Sequence, residues 1–339
     1  GKYFSYPPVN GYLDLREAIC DKLDRENGLK YQPDQIVVSN GAKQSIANVM
    51  FSLVNPGDEV IVFSPFWVSY QAIIELAEGV PVYIEGTIEN DFIATADQLA
   101  AAITPRTKAV IYSSPSNPTG GVFTRDEMQA MAKVLSPHPN IYVIADEIYE
   151  HINYTGEHVS MASFPEMYDQ TITVNGFAKG FAMTGWRVGY IAAPKWIAKG
   201  CAKMQGQITS ANCSIAQRAA YTALTESMEP TYEMAKEYLH RRDFVYELLK
   251  EIPGLQTNLP KGAFYFFPDV SSYFGKSDGT TTVENADDLC MYILDEAQVA
   301  LVTGSAFGAP NCVRISYAAS EENLRLALKR IKEVLGRLQ

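Results

Sequence analysis

An α/β fold built on a mostly parallel sheet is the architecture this sequence predicts. Three observations carry it. Short apolar runs rich in Val, Ile and Tyr recur through the first two thirds of the chain. Helix-like stretches separate them. Several of the runs end in clusters of Ser, Asn, Asp, Gly or Pro, the composition of strand-to-helix loops. Strands that are apolar throughout are covered on both faces, as in parallel sheets flanked by helices.

The elements follow in order. Residues 12–27 read as a helix ended by Gly28, because glycine adopts the left-handed conformation that closes a helix. Ile36-Val37-Val38 reads as a strand, with a helix-like run over 46–54. Strand-like runs cover 59–63, 80–84, 108–113, 141–145, 171–174 and 188–192, and helix-like runs cover 67–78 and 124–135. A long helical pattern over 230–251 then opens a different region, punctuated by Pro253-Gly254 and Pro260-Lys261-Gly262. There 263–268, 299–302 and 312–317 read as strands, 286–296 and 321–338 as helices, and the polar stretch 271–284 as an exposed loop. The chain's 339 residues exceed what one core usually holds. The expected division is a large domain over 1–228 and a smaller α+β domain over 229–339.

Composition narrows the class. A formal net charge of -11 argues against nucleic acid as the main partner. No apolar stretch approaches the roughly 18 residues that span a membrane. Five cysteines without a C-x-x-C pair fit a reducing cytoplasm, most of them buried as small hydrophobes. The four histidines lack H-E-x-x-H spacing, so no metal site is expected, and His151 reads as local structure. Neither G-x-x-x-x-G-K-[ST] nor G-x-G-x-x-G occurs, which disfavours a nucleoside triphosphate or dinucleotide site.

Four segments carry chemistry. Lys179 sits among small residues in the run Asn175-Gly176-Phe177-Ala178-Lys179-Gly180, with Arg187 following. A desolvated lysine amine can bond to an aldehyde, and a guanidinium can clamp a phosphate. Asp146 ends the apolar run 141–145, where open α/β sheets bind ligands, and Tyr149 lies one turn further on if a helix begins there. A carboxylate there can hold a pyridine nitrogen protonated; taken alone, it reads more readily as a helix cap. Ser113-Ser114-Pro115-Ser116-Asn117-Pro118-Thr119-Gly120 makes a rigid turn at another strand end. Ser39-Asn40-Gly41-Ala42-Lys43-Gln44 places small residues before a helix, where free N–H groups bind phosphate.

Taken in this order, and joined by Ser64-Pro65-Phe66-Trp67-Val68-Ser69-Tyr70 and Val313-Arg314-Ile315-Ser316-Tyr317, the motifs resemble the class I aminotransferases of the fold-type I pyridoxal-phosphate enzymes. The similarity is greatest to the bacterial aspartate aminotransferase subgroup and runs from about Tyr6 to the C-terminal helix. The resemblance implies pyridoxal 5'-phosphate as cofactor, with Lys179 as its Schiff-base lysine. It implies Asp146 at the pyridine nitrogen, and Tyr149 and Asn117 as donors to the ring oxygen. Trp67 would stack on the ring, while Arg187 with Gly41, Ala42 and Lys43 would hold the phosphate. Arg314 would bind the substrate α-carboxylate, with Asn117 and Trp67 beside it and Lys43 toward a distal carboxylate. Tyr6, with Tyr3 as the weaker candidate, would reach the phosphate of a second subunit, making a homodimer with shared active sites. Ser64-Pro65 and Asn117-Pro118 would be cis. Gly176 departs from the serine of other subgroups, and family members carry a further N-terminal segment before Gly1. The function so implied is transfer of the amino group of L-aspartate to 2-oxoglutarate by a ping-pong mechanism. Aromatic, alanine or prephenate aminotransfer, and a non-catalytic binding protein on the same fold, are the alternatives.

Overall fold

The computed structural model describes residues 3–339. Its central sheet contains β1 (Ile36–Ser39), β2 (Glu59–Ser64), β3 (Val80–Glu85), β4 (Thr107–Ser113), β5 (Tyr142–Asp146), β6 (Thr171–Gly176) and β7 (Gly189–Ala192). They lie in the order β1-β7-β6-β5-β4-β2-β3. The pairings from β6 to β3 are parallel, and β7 runs against both of its neighbours.

Alternation along each strand explains why both faces are covered. Val60 and Val62 of β2 enter one core, and Ile61 and Phe63 enter the other. Helices α2 (Ala42–Leu53), α3 (Ser69–Leu76) and α6 (Lys195–Ile208) close the first face. Helices α4 (Ala96–Ala102) and α5 (Arg125–Leu135) close the second. A further core joins α1 (Leu13–Asn27) and α7 (Ser214–Thr225) to β1 and β7. Gly28 ends α1 at φ 66°, as the sequence predicts. Thr124 starts α5 with a capping box: its Oγ1 accepts from Glu127 N–H and its own N–H donates to Glu127.

The remaining chain builds a second core. Helices α8 (Glu229–Lys250), α9 (Ala286–Ala297) and α10 (Glu321–Leu335) pack around β8 (Tyr265–Phe266), β11 (Val302–Thr303) and β12 (Val313–Ser316), with the small ladder β9 (Lys276–Ser277) and β10 (Thr282–Val283) between them. Ile148, Tyr149 and Ile152, just beyond β5, belong to this second core. The exit of β5 is therefore held from both sides.

Several details differ from the sequence expectation. α2 begins at Ala42 rather than at residue 46, because Gly41 at φ 81° lets the chain turn straight out of β1. The strand expected over 299–302 shortens to Val302–Thr303, since Gln298 closes α9 in the left-handed conformation. The loop expected over 271–284 contains the β9–β10 ladder. α4, α6 and α7 have no counterpart in the sequence reading; in α6 the buried apolar residues Ile197, Ala198 and Cys201 mark a single face. Cys201 and Cys312 are buried, whereas Cys213 is exposed and Cys20 and Cys290 are half-buried, so burial of most cysteines does not hold. Among the described residues no helix is long and apolar enough to cross a membrane.

A buried charged network ties α1 to the chain after β5. Lys22, 1 % exposed, bonds Glu150 and Asn27. Asn27 and Asn175 also donate to Glu150. Burial opposes ionisation of Glu150, but Lys22 and the nearby histidines hold it far below the usual carboxylate range. His151 bonds Glu26 at 3.0 Å across 125 residues of sequence, so it is a tertiary contact rather than the local one expected. Lys22→Met should cost about 3–5 kcal/mol in equilibrium urea unfolding, because it leaves Glu150 buried without its cation. A change below 1 kcal/mol, on the scale of an exposed pair, would show that the network carries no such weight.

Candidate active site

The C-terminal ends of β4 and β5 and the N-terminus of α2 open on the same side of the sheet, where doubly wound folds place ligands. Asp146 is the last residue of β5, and Ala42 is the first of α2. Asn117 follows β4 in a turn whose Asn117-Pro118 bond is cis, as is Ser64-Pro65; Ser114-Pro115 is cis as well, which the sequence reading does not include. Lys179 lies in the turn after β6. Lys179, Asp146, Tyr149, Asn117, Trp67, Ala42, Lys43 and Arg187 all line one cavity of about 250 Å³.

Asp146 is the most constrained group. Its Oδ2 accepts from the Tyr70 hydroxyl at 2.6 Å and its Oδ1 from Ile148 N–H at 3.3 Å. Burial lifts its carboxyl to about 6, against both of those bonds. A buried carboxylate has room for further donors, so a cationic N–H directed at it would be strongly favoured. Tyr149 does not sit on a helix as the spacing suggests; residues 148–151 form turns, and the second core holds its ring.

Lys179 faces a different environment. Its Nζ lies 5.6 Å from the centre of the Tyr149 ring and 5.5 Å from that of Phe264. Burial and the Arg314 cation pull it below the usual lysine range, with Asp146 opposing and Arg187 adding to the fall. Its neutral amine is thereby made accessible nearer to neutral pH.

An anion cradle forms at the other end of the cavity. The first N–H groups of α2 have no carbonyl one turn back. Arg187 (φ 55°) holds its guanidinium beside them by donating to Thr184 O at 3.0 Å and Asn40 O at 3.4 Å. A Cβ on Gly41 would run into that guanidinium, and one on Gly189 would strike the backbone of Ala42, so glycine is required at both for this approach. Trp67 lines the same cavity, with Lys43 Nζ 5.0 Å from its ring centroid. The cavity thus offers an anion site, an aromatic wall, a softened amine and a buried carboxylate.

Arg314 is not part of the lining, but it reaches it: its Nη1 donates to Asn117 Oδ1 at 2.9 Å. Its Nε is buried and has no partner among the described residues. Tyr6 is not brought to this cavity at all; it is 93 % exposed. Tyr3 packs on Arg218 and edge-on to Tyr12, and its carbonyl accepts from Ser214, which leaves Tyr6 as the projecting tyrosine.

Two site residues escape the sequence reading. Tyr70, 1 % exposed, is the last residue of the motif 64–70, one helical turn after Trp67, and that spacing is the signal that marks it. Tyr265, bonded to Tyr149, lies outside the motifs and carries no sequence signal. Tyr70→Phe keeps the ring edge-on to Trp67 and removes the hydroxyl that donates to Asp146. The Asp146 carboxyl should then titrate higher by about one pH unit in ¹³C-detected NMR. An unmoved titration would mean that the hydroxyl does not support the ion.

Comparison with known proteins places this geometry in a family. The model for aminotransferase class I and II matches residues 1–331. A Petunia hybrida protein, a bifunctional aspartate aminotransferase and glutamate/aspartate-prephenate aminotransferase, is 48 % identical over 335 residues, covering 97 % of this chain and 70 % of its own. The aspartate aminotransferase of Geobacillus stearothermophilus is 44 % identical over 328 residues, covering 96 % and 82 %. The crystal structure of the Rhizobium meliloti aspartate aminotransferase superposes with a TM-score of 0.96 at 41 % identity, covering 99 % of this chain and 84 % of that one. The chain belongs to the class I and II aminotransferases, enzymes that work with pyridoxal 5'-phosphate.

Proposed function

We propose that this aminotransferase takes the amino group of L-aspartate and delivers it to 2-oxoglutarate. The observation that carries the reading is the convergence of Lys179, Asp146, Arg187 and Lys43 on one cavity with Arg314 one hydrogen bond away. When bound, the cofactor supplies an aldehyde for the substrate nitrogen and a ring that takes up electron density from the substrate α-carbon. The chain's own residues do the rest. Arg187 and the α2 N-terminus hold the phosphate, and Trp67 packs on the ring. Asp146 keeps a proton on the ring nitrogen, while Asn117 and Tyr149 donate to the ring oxygen. Arg314 takes the α-carboxylate through its uncommitted N–H groups. Lys179 Nζ carries the proton from the substrate α-carbon, a task its lowered pKa suits. Lys43, held near Trp67, meets the distal carboxylate of a dicarboxylic substrate.

The same reading extends to assembly. Tyr6 of each chain would enter the cavity of a second copy, giving a homodimer with shared sites. The exposed Phe4, Tyr6, Trp186 and Ile215 support such a contact. Within each chain, 1–228 would act as the cofactor domain and 229–339 as the smaller domain. Prephenate is the second acceptor to consider, because the Petunia relative is also named for it.

Four outcomes test the proposal. Initial rates with aspartate and 2-oxoglutarate should give parallel double-reciprocal lines, since the amino group leaves one acid before the other binds; intersecting lines would count against it. Lys179→Ala should lose more than about 10³-fold in turnover while retaining part of the cofactor affinity. Lys43→Ala should reduce kcat/KM for aspartate about tenfold more than for alanine, and an equal loss would remove its distal role. Cofactor affinity should fall as pH drops through about 6, where Asp146 becomes protonated and no longer accepts a ring N–H.

A further inference from the structure

We propose that Tyr265 is a positioning residue that links the carboxylate-binding Arg314 to the hydroxyl of Tyr149. The inference rests on the roles proposed above for those two residues. β8 and β12 pair with Tyr265 opposite Ser316. Arg314, two residues along β12, is therefore a diagonal neighbour on the same face. Its guanidinium lies 4.6 Å from the Tyr265 ring centroid and 4.8 Å from that of Phe307, a stack that fixes its plane. At the other end of the ring, the Tyr265 hydroxyl is 2.9 Å from the Tyr149 hydroxyl, and the pair is buried.

A phenol carries one proton and two lone pairs. When Tyr149 donates to an oxygen of the bound cofactor, it can no longer donate to Tyr265, and it accepts from Tyr265 instead. Two hydroxyls in series polarise each other, so the outer donor becomes stronger than either alone. Tyr265 thus touches the substrate-binding cation with its face and the cofactor-facing donor with its edge. The groups facing Tyr265 are Tyr149, Arg314 and Tyr238, and those facing Lys179 are Arg314, Asp146 and Arg187. A carboxylate seated on Arg314 changes the field at both, and the Tyr265–Tyr149 bond passes that change to the ring oxygen.

Tyr265→Phe in the holoenzyme is the test, because it keeps the stack under Arg314 and deletes only the hydroxyl. The readout is the pH midpoint of the bound cofactor's visible band, with and without maleate as a dicarboxylate probe. In the unmodified protein maleate should raise the midpoint, since it offsets the Arg314 charge near Lys179. In the variant the midpoint without maleate should lie about half a pH unit higher, because Tyr149 becomes the weaker donor. The maleate-induced rise should shrink about twofold, with maleate affinity changed less than about twofold. Unchanged midpoints, an unchanged maleate response, loss of the cofactor or a large loss of maleate affinity would each overturn the link. Tyr149→Phe separates the two levels. If it too leaves the band unmoved, the role given to Tyr149 fails; if it moves the band and Tyr265→Phe does not, only the link fails.

Discussion

The burial of one carboxylate organises this molecule. Asp146 ends a central strand, buried at the floor of the cavity, and among the described residues its donors are a phenol and a backbone N–H. A desolvated ion is costly, so the fold must either protonate it or give it a cation. Its carboxyl at about 6 stands between these outcomes. What surrounds it follows from that constraint. Tyr70 holds one oxygen from α3, the cavity opens beside it, and Lys179 faces the same space from the turn after β6.

The position of Asp146 depends on two cores meeting at one turn. β5 is locked in the sheet by apolar residues on both faces, while Ile148, Tyr149 and Ile152 are claimed by the second core. Beneath the turn, Glu147 accepts from Ser160 and pairs with His158, and Glu150 pairs with Lys22 of α1. Burial works against protonation of His158, yet Glu147 raises its pKa. Glu147 and Glu150 together with His158 resemble a metal-ligand cluster in spacing. The Lys22 ammonium already bonds Glu150, so this charge is balanced from within the chain.

Electrostatics on the open side run opposite to the surface. The chain carries a net charge of -11, yet Lys43, Lys179, Arg187 and Arg314 converge where an anionic cofactor and anionic acids would bind. Each cation is placed differently. Arg187 is pinned by two carbonyls, Arg314 by aromatic faces and Asn117, and Lys43 by Trp67.

The parallel sheet, the site-bearing strand ends and the family motifs were legible in the sequence. Apolar runs bounded by turn residues report burial on both faces, and Lys179, Asp146, Asn117 and Arg187 lie in local patterns with their own meaning. Roles that depend on a distant partner were not legible, even where spacing marks the residue, as it marks Tyr70 one turn after Trp67. His151 bonds Glu26 in α1, Tyr70 in α3 bonds Asp146 at the end of β5, and Tyr265 in β8 meets Tyr149 where the second core packs on the turn after β5. α6 and α7 were silent for a related reason: their apolar faces are narrow and acquire meaning only against the sheet and α1. The sequence by itself determined the order of elements and the chemical groups available, because periodicity and turn chemistry are local. Tertiary structure alone decided which tyrosine supports which group and how far each pKa moves, because desolvation and hydrogen bonding depend on distances that no local pattern encodes.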